Sequence, residues 1–294
     1  DYGGTKIEGI LINDKGEEIL RKRSGYEKNY ESGVNTIKNL VEEFDKHTNS
    51  KNSVGIGIPG SSSKENGLIK NANSIWLNGK PFKKDLEMSL DREIKIMNDA
   101  NCFALSEAID GSGANYNTVW GVIIGSGFGG SFVHNKKVVE GVNQVAGDWG
   151  HQPLPYPRKE EWDLNLKCPV DNCGRPLCAE QFISGIGFTN IFNRKYKTNF
   201  TTKEIVDLEL NGDERAKKEF DLYEDRFARL IAVMIGIVDP DVIILGGGMS
   251  NIERLYSNIP KLLPKYTFSD KVRNKISVSY THLQPTRQHH IAYA

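Results

Sequence analysis

The sequence predicts an α/β chain of two lobes, and three observations lead there. Short apolar stretches that read as strands are followed by helical patterns, glycine clusters stand at the strand ends, and no low-complexity linker or short-period repeat interrupts the 294 residues. A chain of 32.9 kDa builds one large domain or two packed lobes with a substantial core. The 38 Lys and Arg balance the 38 Asp and Glu, so the charge points to neither nucleic acid nor an acidic membrane surface. The longest uninterrupted apolar run, residues 230–238, has nine residues, far short of the roughly 20 that span a bilayer. No basic-then-apolar stretch opens the chain, and the expected location is the cytoplasm.

The elements follow in order. Residues 7–13 alternate as a strand, Asp14-Lys15-Gly16 supplies a turn, and residues 17–23 return. Residues 33–47 place Val34, Ile37, Leu40, Val41 and Phe44 on one helical face. Residues 53–58 form a short buried strand ended by Pro59-Gly60. A polar loop leads to a short helix over 81–90, a strand over 93–97, and a helix from Asn98-Asp99-Ala100-Asn101 through Ala108. These make a smaller first lobe, residues 1–117.

A larger lobe covers 118–279. Residues 119–124 are a strand, a glycine cluster occupies 125–130, and residues 131–140 form a hairpin turning at Asn135-Lys136-Lys137. A cysteine-bearing loop spans about 151–180 and two helical stretches follow, the longer over 213–238. A buried strand over 241–245 runs into the turn Gly246-Gly247-Gly248, with a helix over 251–263.

Two glycine clusters carry chemistry or are plain tight turns. Gly125, Gly127 and Gly130 match the G-x-G-x-x-G spacing, but a hairpin follows where a dinucleotide fold needs a helix N-terminus. No P-loop sequence is present. Asp1-Tyr2-Gly3-Gly4-Thr5-Lys6 sets a glycine pair between an acid and a hydroxyl plus a cation, and Gly125-Ser126-Gly127 repeats the idea. Glycine hairpins of this kind present N–H groups and hydroxyls to a triphosphate, while the acid holds its magnesium. Of the four cysteines, Cys168, Cys173 and Cys178 lie within eleven residues, a grouping that suits a metal better than disulfides in this setting. Cys102 reads as a small buried hydrophobe.

Together these motifs resemble the ROK family of sugar kinases, within the sugar kinase/Hsp70/actin superfamily, from residue 1 to about 279. Asp1-x-Gly-Gly-Thr-Lys6 is similar to the first phosphate motif, Gly125-Ser126-Gly127-x-Gly129-Gly130 to the second, and Leu245-Gly246-Gly247-Gly248 to the adenosine segment. The stretches 54–60, 70–79 and 239–250 resemble most the bacterial fructokinase/mannokinase type. The resemblance implies a two-lobed actin-like (ribonuclease H-like) ATPase fold, ATP and Mg2+ as cofactors, a hexose as substrate, and a homodimer.

It also implies roles. Transfer to a sugar hydroxyl requires a carboxylate within hydrogen-bond reach of it, and the family's general base falls on Asp99; as bare sequence, Asn98-Asp99 also reads as a helix N-cap. Asn73, Asn98, Asp99, Asp148, His151 and Glu180 form the implied sugar-binding set. The family's Glu-x-Gly-His motif falls on Asp148-Trp149-Gly150-His151, where Asp148 is one methylene shorter than the usual Glu. His151, Cys168, Cys173 and Cys178 make a Cys3His composition suited to structural zinc. Four residues separate Cys168 from Cys173 where the family has one, and Leu177 replaces a glycine.

The expected activity is phosphorylation of fructose at its 6-hydroxyl by ATP. The alternatives are a kinase for mannose, glucose or an N-acetyl sugar, or a non-catalytic sugar-binding or regulatory member. Both ends depart from the family: strand residues usually precede the position of Asp1, and residues 280–294 replace a glycine-rich segment and closing helix. They read as the ends of a fragment with a non-native tail. His289-His290, in that tail, has no supporting ligand spacing for a metal.

Overall fold

The computed structural model describes residues 1–168 and 173–279. The atypical tail 280–294, with His289 and His290, lies outside the described residues, as do the residues 169–172 that widen the cysteine spacing. Contacts divide the chain into two compact units between Ser106 and Glu107, ahead of the Thr118 at which the sequence starts the second lobe. No helix among the described residues is long and apolar enough to cross a membrane.

In unit 1, strands β1 (Lys6–Ile12) and β2 (Glu18–Gly25) pair antiparallel from Lys6 opposite Gly25. Asn13 Oδ1 closes their turn by accepting from Lys15 and Glu17 N–H at 2.9 Å each. Helix α1 (Tyr30–Thr48) begins before residue 33 because Asn29 caps it, its side chain accepting from Ser32 N–H at 2.8 Å. Ile37, Leu40, Val41 and Phe44 are buried. Gly9 of β1 admits the Phe44 ring, since a Cβ there would lie 2.9 Å from it.

Strand β3 (Val54–Ile58) pairs parallel with β6 (Ile94–Asn98), Ile58 opposite Asn98. The connection holds two-residue strands β4 (Ser61–Ser62) and β5 (Ile69–Lys70), a 3-10 turn at Ile75–Leu77, and helix α2 (Phe82–Leu90). Tyr2, Ile7, Ile58, Leu77, Phe82 and Leu86 are core residues of this unit. Helix α3 (Asp99–Ile109) starts directly at the end of β6, and the division into units falls within it.

Unit 2 contains a five-stranded sheet ordered β11-β10-β7-β8-β9. Its strands are β7 (Thr118–Ile124), β8 (Phe128–His134), β9 (Lys137–Val138), β10 (Val242–Gly246) and β11 (Lys275–Val278). β7, β10 and β11 are parallel, and β8 and β9 return antiparallel. The strand begun at Phe128 absorbs the second half of the glycine cluster, and the β8–β9 turn is the pair Asn135-Lys136, both with positive φ (50° and 62°). That is the two-residue turn whose twist matches the strands it joins.

The cysteine loop contains a short helix α4 (Lys159–Asp163). Four helices, not two, occupy 180–238: α5 (Glu180–Ile183), α6 (Gly185–Tyr196), α7 (Thr202–Leu210) and α8 (Glu214–Val238). The breaks are chemical. Ser184 is extended (ψ 154°) and caps α6, Thr201 and Glu204 form a reciprocal cap on α7, and Asp213 caps α8. After β10, a 3-10 turn at Gly248–Asn251 delays the last helix, α9, to Arg254–Leu262. Trp120, Ile124, Phe182, Phe227, Ile231 and Leu245 are among the core residues of unit 2.

Candidate functional site

In unit 1, the residues from Asp1 to Lys6 form a tight hairpin: Tyr2 bridges Ile7, and Gly3 N–H donates to Lys6 O at 3.0 Å. Gly3 has no room for a side chain, a Cβ coming within 2.9 Å of Lys6 O, whereas Gly4 faces open space. Aromatic packing anchors the hairpin. The Tyr2 ring is buried 5.2 Å from Tyr26 and 5.6 Å from Phe82. Its hydroxyl accepts from Trp76 Nε1 at 3.0 Å, and Tyr26 donates its own hydroxyl to Gly3 O at 2.8 Å. Gly33 of α1 leaves the space that the Tyr2 hydroxyl fills, 2.2 Å from where a Cβ would stand.

Asp99 is the first residue of α3, where β6 ends. The capping is done by its neighbour: Asn98 Oδ1 accepts from Ala100 N–H at 3.0 Å and Asn101 N–H at 3.2 Å, while Asn98 Nδ2 donates to Gly60 O at 3.0 Å. Asp99 accepts from Ala100 N–H at 2.8 Å and stays reachable by solvent. Its carboxyl lies above the ordinary aspartate value; desolvation raises it, against hydrogen bonds from backbone N–H groups and Asn98.

Asn73 is exposed on a pinned loop: Asn78 accepts from Ala72 N–H at 2.9 Å and donates to Ala72 O at 3.0 Å. Cys102 is half-buried, 3.4 Å from where a Cβ on Gly57 would lie, and burial pushes its thiol up to about 12.

In unit 2, Gly125-Ser126-Gly127 turns β7 into β8, Gly125 N–H donating to Gly127 O at 3.0 Å. Gly185 N–H donates to Gly125 O at 2.8 Å, so the start of α6 rests on this hairpin. The turn after β10 packs on β7: Gly247 has φ 83°, and a Cβ there would strike Ile124 O at 2.5 Å. Gly248 faces open space.

Asp148 is exposed, and Glu180, partly buried, opens α5. Glu180 Oε2 accepts from Phe128 N–H at 3.1 Å. His151 Nδ1 lies 3.5 Å from Cys178 Sγ and 4.0 Å from Cys168 Sγ. With Cys173, all four ligand atoms lie within 4.8 Å of one another. Tetrahedral zinc–thiolate bonds of about 2.3 Å place sulfurs roughly 3.8 Å apart, so this donor set fits such an ion. Without the ion, burial raises the Cys168 and Cys178 thiols. Backbone bridges between Pro153 and Cys178 and between Lys167 and Pro176 bring the loop's ends to the cluster.

Sequence reading missed the support of this loop. Glu161 of α4, 2% exposed, binds Arg229 and Arg226 of α8, the latter at 3.1 Å. Arg229 also donates to the carbonyls of Pro155 and Tyr156 at 2.7 Å each. It missed Ser184 and Gly185 as well, although the small-residue run Ser184-Gly185-Ile186-Gly187 after an apolar helix is a visible cap signal.

The ROK family model matches residues 1–287. The N-acetyl-D-glucosamine kinase of Haemophilus influenzae (strain 86-028NP) is 39% identical over 269 residues, covering 90% of this chain and 88% of its own. That of Histophilus somni (strain 129Pt) is 40% identical over 271 residues, with the same coverage. Among solved structures, the ROK hexokinase from Thermus thermophilus superposes with a TM-score of 0.83 at 20% identity, over 98% of this chain and 93% of its own. The fructokinase/mannokinase subgroup expected from residues 54–60, 70–79 and 239–250 is therefore corrected: the relatives at this identity are N-acetyl-D-glucosamine kinases. The chain belongs to the ROK family and has its α/β, actin-like ATPase fold.

Proposed function

We propose that the chain is an ATP-dependent kinase for an N-acetylhexosamine, N-acetyl-D-glucosamine first, transferring the terminal phosphoryl group of Mg-ATP to the sugar's 6-hydroxyl. The observation that carries this reading is Asp99. It stands solvent-reachable at a helix start where Asn98 takes the Asn101 N–H and shares that of Ala100 with Asp99. The identity of the relatives directs the choice of sugar.

In this reading Asp99 takes the proton of the 6-hydroxyl as the phosphoryl group transfers. Asn73 and Asn98 of unit 1 offer amides to sugar hydroxyls. In unit 2, Asp148, His151 and Glu180 contribute two carboxylates and a ring N–H. His151 turns Nδ1 toward the cysteines, which leaves Nε2 for the sugar. Asp1, Gly3, Gly4, Thr5 and Lys6, then Gly125, Ser126, Gly127 and Gly129, serve the phosphates; Gly246, Gly247 and Gly248 let adenosine approach bare backbone. His151, Cys168, Cys173 and Cys178 would hold zinc, which, when bound, supplies rigidity rather than activation.

The test is ADP release from Mg-ATP with N-acetylglucosamine, N-acetylmannosamine, glucose, mannose and fructose, beside an Asp99→Asn control. Fastest turnover on N-acetylglucosamine, lost in the control, is expected. Preference for fructose would overturn the substrate, and sugar binding without turnover would overturn the kinase.

A further inference from the structure

One carboxylate joins the second phosphate hairpin to the His/Cys cluster. Glu180 Oε2 accepts from the N–H of Phe128, the first residue of β8. The same oxygen lies 3.0 Å from where a Cβ on Gly127 would stand. The carboxylate thus lies against the hairpin's own backbone and holds the residue that closes it. On its other side, Glu180 N–H donates to Gly150 O at 2.9 Å, and that carbonyl also takes the Cys178 thiol at 3.4 Å. Gly150 precedes His151 and presses on Phe128 O, a Cβ on it falling only 1.8 Å from that oxygen. Metal ligands, Glu180 and hairpin therefore share two backbone residues, Gly150 and Phe128.

We propose that Glu180 is a positioning residue for the nucleotide: it holds the Gly125-Ser126-Gly127 hairpin in its phosphate-accepting form and passes the state of the His/Cys cluster to it. The proposal deepens the kinase reading and rests on it for the identity of the nucleotide. A backbone N–H satisfied by a carboxylate fixes the turn before the ligand arrives, so less ordering is left to binding. Loss of the metal loosens Gly150 and Cys178, and through them Glu180.

The experiment measures Mg-ADP affinity calorimetrically with no sugar present, where a residue that only contacts sugar has no effect. Glu180→Ala is expected to weaken Mg-ADP about tenfold or more, the range of a hydrogen bond to a charged group. Glu180→Gln keeps an oxygen that accepts the Phe128 N–H, and is expected to bind near wild-type strength. Stripping the metal from the wild type with a chelator, its content checked by metal analysis, is expected to weaken Mg-ADP similarly. Stripping the alanine variant should add little, because the two losses share one route. Should the alanine variant not fold, Glu180→Asp, whose shorter carboxylate withdraws from Phe128, takes its place. Unchanged Mg-ADP affinity in the Ala or Asp variant overturns the positioning role alone. No Mg-ADP binding by the wild type overturns it together with the kinase reading.

Discussion

The two glycine hairpins offer the same backbone chemistry but are braced by opposite means. In unit 1, the Gly3-Gly4 hairpin hangs from Tyr2, which is sunk among Tyr26, Phe82 and Trp76. In unit 2, the Gly125–Gly127 hairpin is braced by a carboxylate, main-chain hydrogen bonds and a loop that carries the His151/Cys168/Cys173/Cys178 cluster. An aromatic anchor is indifferent to chelators and to salt, because its strength is buried area. A polar brace is only as firm as its partners' protonation and ligation. Turns of like backbone thus respond to different disturbances, which the following changes set against each other.

The largest difference is expected between two glycine substitutions. Gly150→Ala drives a Cβ into the Phe128 carbonyl at 1.8 Å, and backbone cannot step aside. It should lower stability by about 4 kcal/mol or more, at the upper end for single substitutions, seen as a collapse of Tm and of metal content. Gly33→Ala meets the far end of the Tyr2 side chain at 2.2 Å; a ring can tilt, so about 1–3 kcal/mol is expected, with metal content unchanged. Equal effects on metal content would erase the contrast.

Next comes Glu161→Ala. Removing this buried carboxylate leaves Arg229, 1% exposed, and Arg226, 3% exposed, without it. Loss of about 3–5 kcal/mol is expected in denaturant melts, together with weaker metal retention by residues 151–178. Full metal retention would show that the loop is held without α8.

The smallest effect, again in unit 1, is a proton. The carboxyl of Asp99 lies above the ordinary aspartate value. A base acts only when deprotonated, so kcat/KM should fall on the acid side at a pH above that of a free aspartate, about 3.9. A pH–rate profile flat down to that value would separate Asp99 from the chemistry.

What the sequence made legible is local. Asp14-Lys15-Gly16, the apolar face of α1 and the Asn98-Asp99 start of α3 are patterns within one or two turns of chain, and they place the first hairpin and Asp99. The composition of the His151/Cys168/Cys173/Cys178 set was equally visible. The interruption of the 180–212 stretch was only half visible: Ser184 with its following glycines is a cap signal, but apolar periodicity continues across both Ser184 and Thr201 and outweighs it. The Glu161–Arg229 pairing was not visible, since a charge on a helix reads as a solvated face until its partner is known. The subgroup of relatives was misjudged for a related reason: glycine-rich turns are common to a family, whereas the choice of sugar rests on a few hydrogen bonds.

The pairing of Glu161 with Arg226 and Arg229 closes sequence separations of 65 and 68 residues. Arg226 and Arg229 leave the ribosome well after Cys178, the last of the four clustered residues. A nascent chain therefore exposes His151 and three thiols before the helix that shapes their loop has been made. A metal bound at that stage would meet an unshaped set of side chains, and the loop reaches its final form only once α8 docks. Residues 151–178 moved alone into another host would carry the four side chains without the arginines that bind Glu161 and the carbonyls of Pro155 and Tyr156.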